Sequence, residues 1–150
     1  MAETARGRLI GGLALAGLAD ALYMLAYQRG LIRRLACPFF GDGCARVARS
    51  PHARHFGVPN ALVGALGYAT MGSLALAAGD RPPEERPLAP LALGGLAAAA
   101  VAVSAYLTWE QPTKVGAWCF WCLSSAVLNV GIFAASLPGA RRAFSAWLRA

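Results

Sequence analysis

Polar residues in this chain are confined to short segments that separate four long apolar stretches. The stretches cover residues 9–27, 58–78, 88–109 and 117–137, and Asp20 is the one charged residue within them. Each has about 20 residues, and a helix that rises about 1.5 Å per residue crosses the apolar layer of a bilayer over that length. The pattern therefore predicts four membrane-spanning helices over these ranges.

The composition supports the same interpretation. Apolar residues make up 57% of the chain and charged residues 14%, whereas soluble domains carry roughly 25% charged residues. We therefore predict an all-α integral membrane protein in which residues 1–150 form one domain, a four-helix bundle. Gly64, Gly67, Gly72 and the alanines at 97–100 would allow its helices to approach closely. The first stretch is too long for a signal peptide and lacks a clean cleavage site.

The connections between the predicted spans determine where the cysteines meet. The first connection, residues 28–57, is the longest and contains Cys37 and Cys44, while Cys119 and Cys122 follow the third. With four spans, these two connections share one face of the membrane, and both termini lie on the other. Seven basic residues would lie on each side, so the positive-inside rule does not decide the orientation. Paired cysteines favour the extracytoplasmic face, so we expect cytoplasmic termini in an inner or plasma membrane.

Each cysteine pair has a spacing that suits redox chemistry. In CFWC, Cys119 and Cys122 would share a helix face with Cβ atoms about 5–6 Å apart, in a first turn that stabilises a thiolate. In CPFFGDGC, the turn signal at residues 41–43 can bring Cys37 and Cys44 together. We expect Cys119 and Cys122 to cycle between disulfide and dithiol, and Cys37 and Cys44 to form an exposed disulfide on a mobile loop.

Together the two pairs predict an electron relay. Electrons would pass by thiol–disulfide exchange from a soluble partner to Cys37 and Cys44, then to Cys119 and Cys122, and finally to a lipid-soluble two-electron acceptor such as a quinone. Two alternatives remain. The cysteines could form static disulfides in a membrane scaffold, or bind a metal in a transporter, although the first pair is too widely spaced for the usual zinc pattern.

The order of these motifs resembles that of the vitamin K epoxide reductase family, which are membrane disulfide and quinone oxidoreductases. The matching elements are Cys37 and Cys44, the run CARVARS that ends in Ser50, the pair Phe56 and Gly57, and CFWC. The resemblance covers nearly the whole chain. It implies a multi-pass membrane enzyme that supports disulfide formation in exported proteins.

The resemblance also implies individual roles. Cys122 would meet the quinone and form a transient adduct, and Cys119 would resolve that adduct and exchange with Cys44. Cys37 and Cys44 would exchange with a thioredoxin-like (DsbA-type) protein. The residues that would support the quinone or the active site are Ser50, Phe56, Asn60, Tyr68 and Tyr106, with Asn60 donating a hydrogen bond to a quinone carbonyl.

Two departures from the family pattern narrow the expectation. Ala126 stands where many relatives have a tyrosine that contacts the second quinone oxygen. Reduction of a simple quinone, such as menaquinone or ubiquinone, is therefore a better fit than epoxide reduction. Some relatives carry a fused thioredoxin-like domain, and its absence from these 150 residues predicts a separate partner. No metal is expected.

Several polar residues remain outside the motifs. An acidic group within a span is a functional candidate, and Asp20 could carry a proton to the reduced quinone; alternatively it joins helices through Asn129 or Thr108. We interpret His52 and His55 as solvated loop residues. The net charge of +7 lies in loops beside lipid, which favours anionic lipid head groups over nucleic acid. The basic, partly apolar residues 141–150 predict a short surface helix or a frayed tail.

Overall fold

The computed structural model describes all residues 1–150 and is dominated by helices. The first connection, predicted as a loop, contains a short helix, a 3-10 turn and a two-stranded hairpin. In chain order the elements are α1 (Ala2–Gln28), α2 (Gly43–Arg49), the 3-10 turn (Pro51–Ala53), β1 (Arg54–His55), β2 (Val58–Pro59), α3 (Asn60–Ala78), α4 (Leu88–Glu110), a π-helical turn (Gln111–Val115) and α5 (Phe120–Arg149).

Four of these helices are long and apolar enough to cross a membrane: α1, α3, α4 with its π-helical turn, and α5. They pack as a bundle whose outer surface carries large apolar side chains, among them Leu15 and Val127, which are about 70% exposed. Such side chains are stable only against lipid or another apolar surface. The prediction of an all-α membrane protein with four spans is confirmed.

Helix α5 is longer than the sequence suggested. The predicted span ended at residue 137, before Pro138, with a separate surface helix or frayed tail beyond it. In the structure one helix continues through Pro138 to Arg149. Its buried face, at Ile132, Ser136, Gly139 and Ala143, keeps the helical spacing across the proline. Continued packing of this face offsets the backbone hydrogen bond that the proline lacks.

Close helix contacts occur at only some of the predicted small residues. Gly64 and Gly72 of α3 do face α1, but Gly67 has no neighbour near its Cα–H. Among the four spanning helices the closest approach is at Gly17 of α1, where an added Cβ would lie 2.2 Å from the ring of Tyr68. Tyr68 is 2% exposed and belongs to the main apolar core. The main core therefore includes a point where the Tyr68 ring fills the space beside Gly17 that a larger side chain would occupy.

The bundle has two distinct ends. At one end, Thr4 donates a hydrogen bond to Asp80 in the α3–α4 connection (2.7 Å), and Glu3 pairs with Arg142 near the end of α5. At the other end lie the long first connection and the segment that joins α4 to α5. We call this second end the cysteine end, because all four cysteines belong to one packed cluster there.

Candidate functional site

The structure joins Cys37 and Cys44 in a disulfide at the start of α2. Gly43 lies against the backbone of Trp118, where an added Cβ would be 2.1 Å from the carbonyl oxygen. This contact presses α2 onto the start of α5 and buries Cys44 completely, while Cys37 is half-buried. The prediction of a disulfide exposed on a mobile loop is therefore wrong for Cys44, because long-range packing holds that part of the connection.

Cys44 lies directly beside the second cysteine pair. The backbone N–H of Phe120 donates to the Cys44 sulfur at 3.3 Å, and Cys119, the preceding residue, is fully buried. Cys119 is also the N-cap of α5, and its sulfur accepts from the N–H of Cys122 at 3.3 Å. Cys119 and Cys122 are both free thiols. The four sulfur-bearing residues thus meet around one helix N-terminus.

The environment of Cys119 favours its thiolate. A hydrogen bond from the Cys122 side chain, helped by the backbone N–H groups of Cys122 and Trp121, lowers the pKa of the Cys119 thiol against the opposing effect of burial. The backbone N–H of Cys119 is held separately by the Gln111 side chain, whose Oε1 accepts at 2.7 Å. Cys119 is therefore the better nucleophile and is fixed in place from both sides.

A cavity next to Cys122 reaches from the cysteine end into the bundle. It contains about 780 Å³ of space free of atoms, part of it open to the outside, and half of its 20 lining residues are hydrophobic. Cys122, Asn60 and Asp20 line it, so three of the predicted site residues converge there. Its combination of apolar walls and polar side chains suits a small organic ligand.

The cavity also gathers polar atoms that lack partners. Both carboxylate oxygens of Asp20, Oε1 of Gln28, Oε2 of Glu110 and Nε2 of Gln111 are buried and accept or donate no hydrogen bond within the protein. Unpaired buried groups are uncommon in folded proteins. Their concentration around one cavity indicates a place for a polar ligand or water.

Two polar side chains near the cavity behave differently from the expectation. Asn129 donates to Ser104 at 2.8 Å, so it does not join Asp20 to a neighbouring helix. Asn60 is held by the hairpin region: its Nδ2 donates to the carbonyl of His52, and its Oδ1 lies 2.8 Å from Nδ1 of His55. One of its two amide hydrogens therefore remains available.

The other predicted site residues do not line this cavity. Ser50 caps the end of α2 by donating to the carbonyl of Val47 (2.8 Å) and faces a separate basic depression. Phe56 lies at the exposed tip of the hairpin with a positive φ of 54°. Tyr68 and Tyr106 reach the cavity only through lining residues, since they hydrogen-bond to Ser125 and Glu110 respectively.

Sequence reasoning missed Glu110 and Gln111, although both follow an apolar stretch and are almost fully buried. The available signal was their position before Pro112. There a π-helical turn follows the regular α-helix, and such turns are frequent at functional sites. The interpretation of His52 and His55 as simply solvated is wrong. Their side chains are 37% and 35% exposed, and both approach the Glu110 carboxylate.

Comparison with known proteins identifies the family of this chain. The model of the vitamin K epoxide reductase family matches residues 8–137, which include all four cysteines and the whole cavity. The chain belongs to the vitamin K epoxide reductase family. The chain is also 34% identical over 101 residues to thiol-disulfide oxidoreductase LTO1 of Arabidopsis thaliana. The alignment covers 65% of this chain and 27% of LTO1, so the chain corresponds to about a quarter of that longer relative.

Proposed function

We propose that this protein is a membrane thiol-disulfide oxidoreductase that passes electrons from a soluble thioredoxin-like protein to a membrane quinone. Family membership supports the chemistry. The observation that carries the proposal is the contact between the two cysteine pairs, in which the Cys44 sulfur lies 3.3 Å from the Phe120 nitrogen, next to Cys119. A disulfide used only as a staple has no need of free thiols beside it.

Electron entry begins at Cys37, because its partner Cys44 is buried. A partner thiolate attacks the Cys37 sulfur and Cys44 leaves as a thiolate, after which the partner's second thiol releases Cys37. The Cys44 thiolate then attacks Cys119 of an oxidised Cys119–Cys122 pair, and Cys37 resolves that mixed disulfide. The outcome is a reformed Cys37–Cys44 disulfide beside a Cys119–Cys122 dithiol, the arrangement described above.

Electron exit takes place in the cavity. The Cys119–Cys122 dithiol becomes a disulfide and the quinone becomes a quinol, so that partner dithiol plus quinone gives partner disulfide plus quinol. Cys122 lines the cavity, Asn60 has an amide hydrogen free for one quinone carbonyl, and Asp20 offers an unpaired carboxyl group as a proton donor. Ala126 does not contact the cavity, which favours a simple quinone such as menaquinone or ubiquinone over an epoxide.

The orientation follows from the partner. A DsbA-type protein that makes disulfides in exported proteins works outside the cytoplasm, so the cysteine end would face that side of an inner or plasma membrane. Both termini, which lie at or near the opposite end, would then be cytoplasmic. Labelling in sealed vesicles tests this. After reduction, Cys37 should react with an impermeant thiol reagent added on the extracytoplasmic side, and should not react with the same reagent on the cytoplasmic side.

Turnover measurements test the enzyme itself. Protein in lipid vesicles, supplied with reduced DsbA-type protein and a quinone, should form quinol, and Cys119→Ala or Cys122→Ala should abolish this while helical circular dichroism is unchanged. A scaffold with static disulfides would be indifferent to these changes, and a metal-dependent protein would need added metal. In the same assay an undiminished rate for Asp20→Asn would remove the proton role of Asp20.

A further inference from the structure

A buried carboxylate that lines the cavity is surrounded by hydrogen-bonding side chains that the sulfur chemistry does not use. Glu110, at the end of α4, is 4% exposed. Its Oε1 lies 3.0 Å from Nδ1 of His52 and accepts a hydrogen bond from the Tyr106 hydroxyl, also at 3.0 Å. Nε2 of His55 lies 3.5 Å from Oε2. Three side chains from three elements therefore converge on one carboxyl group.

The two oxygens of Glu110 have different surroundings. Oε1 contacts His52, whose side chain is 37% exposed and therefore reaches solvent. Oε2 is buried and has no hydrogen-bond partner, and Glu110 lines the cavity together with His52 and Cys122. One oxygen of this cavity-lining residue thus contacts a solvent-accessible imidazole, and the other has no hydrogen-bond partner within the protein.

The proton balance of the proposed reaction requires such a connection. A quinol contains two protons more than the quinone, and the Cys119–Cys122 dithiol is their nearest source. If Cys119 reacts as a thiolate, as its surroundings favour, the pair supplies only one of them. Asp20 could give the second, but neither of its oxygens has a hydrogen-bond partner, so no direct hydrogen bond returns a proton to it.

We propose that His52 and Glu110 form a relay that delivers one proton per turnover from the aqueous face to the cavity. The inference rests on the function proposed above. His52 takes a proton at Nε2 and gives one from Nδ1 to Oε1 of Glu110, and the carboxyl group releases a proton from Oε2 to a quinone oxygen or to Asp20. Tyr106 orients the carboxyl group without carrying the proton.

The titratable groups that face Glu110 come from each neighbouring element. His52 of the 3-10 turn, His55 of β1 and Tyr106 of α4 contact its carboxyl group, whereas Asp20 of α1, Cys122 of α5 and the neutral Asn60 of α3 line the same cavity. His55 differs from His52 because it does not line the cavity and its Nδ1 is bound to Asn60. We therefore assign His55 to positioning Asn60.

The relay is tested in a single turnover of fully reduced protein in vesicles, mixed with a short-chain quinone. Both His52→Ala and Glu110→Gln should slow quinol formation by on the order of 100-fold, a typical effect of losing an acid–base group. Added imidazole should restore the rate of His52→Ala, because the vacated site is open to solvent, and should not restore Glu110→Gln. His55→Ala is the matched control, with a similar exposed fraction, and imidazole should leave its rate unchanged.

Separate readouts distinguish failure of the relay from failure of the function. Reaction of a reduced partner with the Cys37–Cys44 disulfide needs no proton in the cavity, so its rate should be the same in all three variants, which also verifies folding. The relay would be refuted if His52→Ala formed quinol at the wild-type rate. It would also be refuted if imidazole restored the rate of all the variants, or of none of them. If wild-type protein exchanges with the partner but forms no quinol, the quinone proposal itself fails.

Discussion

The contact between Gly43 and Trp118 offers a direct test of how the two cysteine pairs communicate. In Gly43→Ala the new Cβ would lie 2.1 Å from the Trp118 carbonyl oxygen, and ordinary contacts begin at 3.4 Å. The backbones of α2 and of the segment before α5 must therefore separate by about 1.3 Å. Cys44 follows Gly43 directly, and Cys119 follows Trp118. The same movement therefore increases the distance between the sulfur atoms of Cys44 and Cys119, which react with each other in the proposed route.

A misplacement of about 1 Å in a reacting pair can cost on the order of 100-fold in rate. Fully reduced protein mixed with excess quinone should form two equivalents of quinol, the first from Cys119 and Cys122 and the second only after transfer from Cys37 and Cys44. In Gly43→Ala we expect an unchanged first phase and a second phase slowed by about that factor. Stopped-flow absorbance of the quinone measures both phases.

The control is Gly67→Ala, which also adds a methyl group to a helical glycine but meets nothing within 4 Å. It should leave both phases intact. Equal slowing of both phases in Gly43→Ala would indicate general disruption, and a second phase at the wild-type rate would show that electrons do not pass between Cys44 and Cys119. The second of these results would overturn the proposed route.

Three further predictions concern the same end of the molecule. The pKa of Cys119 is lowered by the Cys122 hydrogen bond, so its thiolate should form with rising pH at a lower midpoint than that of an ordinary thiol; Cys122→Ala should move this midpoint upward, as measured by the ultraviolet absorbance of the thiolate. Gln111→Leu leaves the buried N–H of Cys119 unpaired, which should reduce the free energy of unfolding in detergent by about 1–3 kcal/mol; Gln111→Glu, which keeps the acceptor, should lose less. A partner that lacks its second cysteine should be trapped on Cys37, because Cys44 is fully buried; peptide mapping that places the bond on Cys44 would contradict the proposed entry point.

The sequence predicted the four spans because hydropathy along a membrane helix is a local property. It also predicted the meeting of four cysteines at one end, since an even number of crossings determines which connections share a face. The burial of Cys44 could not be read in the same way. That burial arises from the contact of Gly43 with the backbone of Trp118, and residues so distant in sequence leave no periodic pattern.

The polar part of the cavity was the least predictable. His52 and Glu110 are 58 residues apart, and each is unremarkable on its own: one is a loop histidine and the other an acid at the end of a span. The alternative role of Asp20, joining helices through Asn129 or Thr108, is wrong because neither carboxylate oxygen of Asp20 has a hydrogen-bond partner, while Asn129 donates to Ser104. The continuation of α5 beyond Pro138 was missed because the local rule for proline ignores packing against other helices.

The unpaired polar atoms around the cavity also bear on how the protein should be handled. A molecule that hydrogen-bonds to Gln111 and Glu110 and fills the apolar space between them binds only the folded state. Its binding therefore increases the free energy of unfolding, by about 2.7 kcal/mol at a ligand concentration 100 times the dissociation constant. Purification that strips native lipids should therefore lower the melting temperature, and adding back candidate compounds should raise it by an amount that increases with the logarithm of affinity. A thermal-shift screen of lipid extracts is thus a practical route to the physiological ligand.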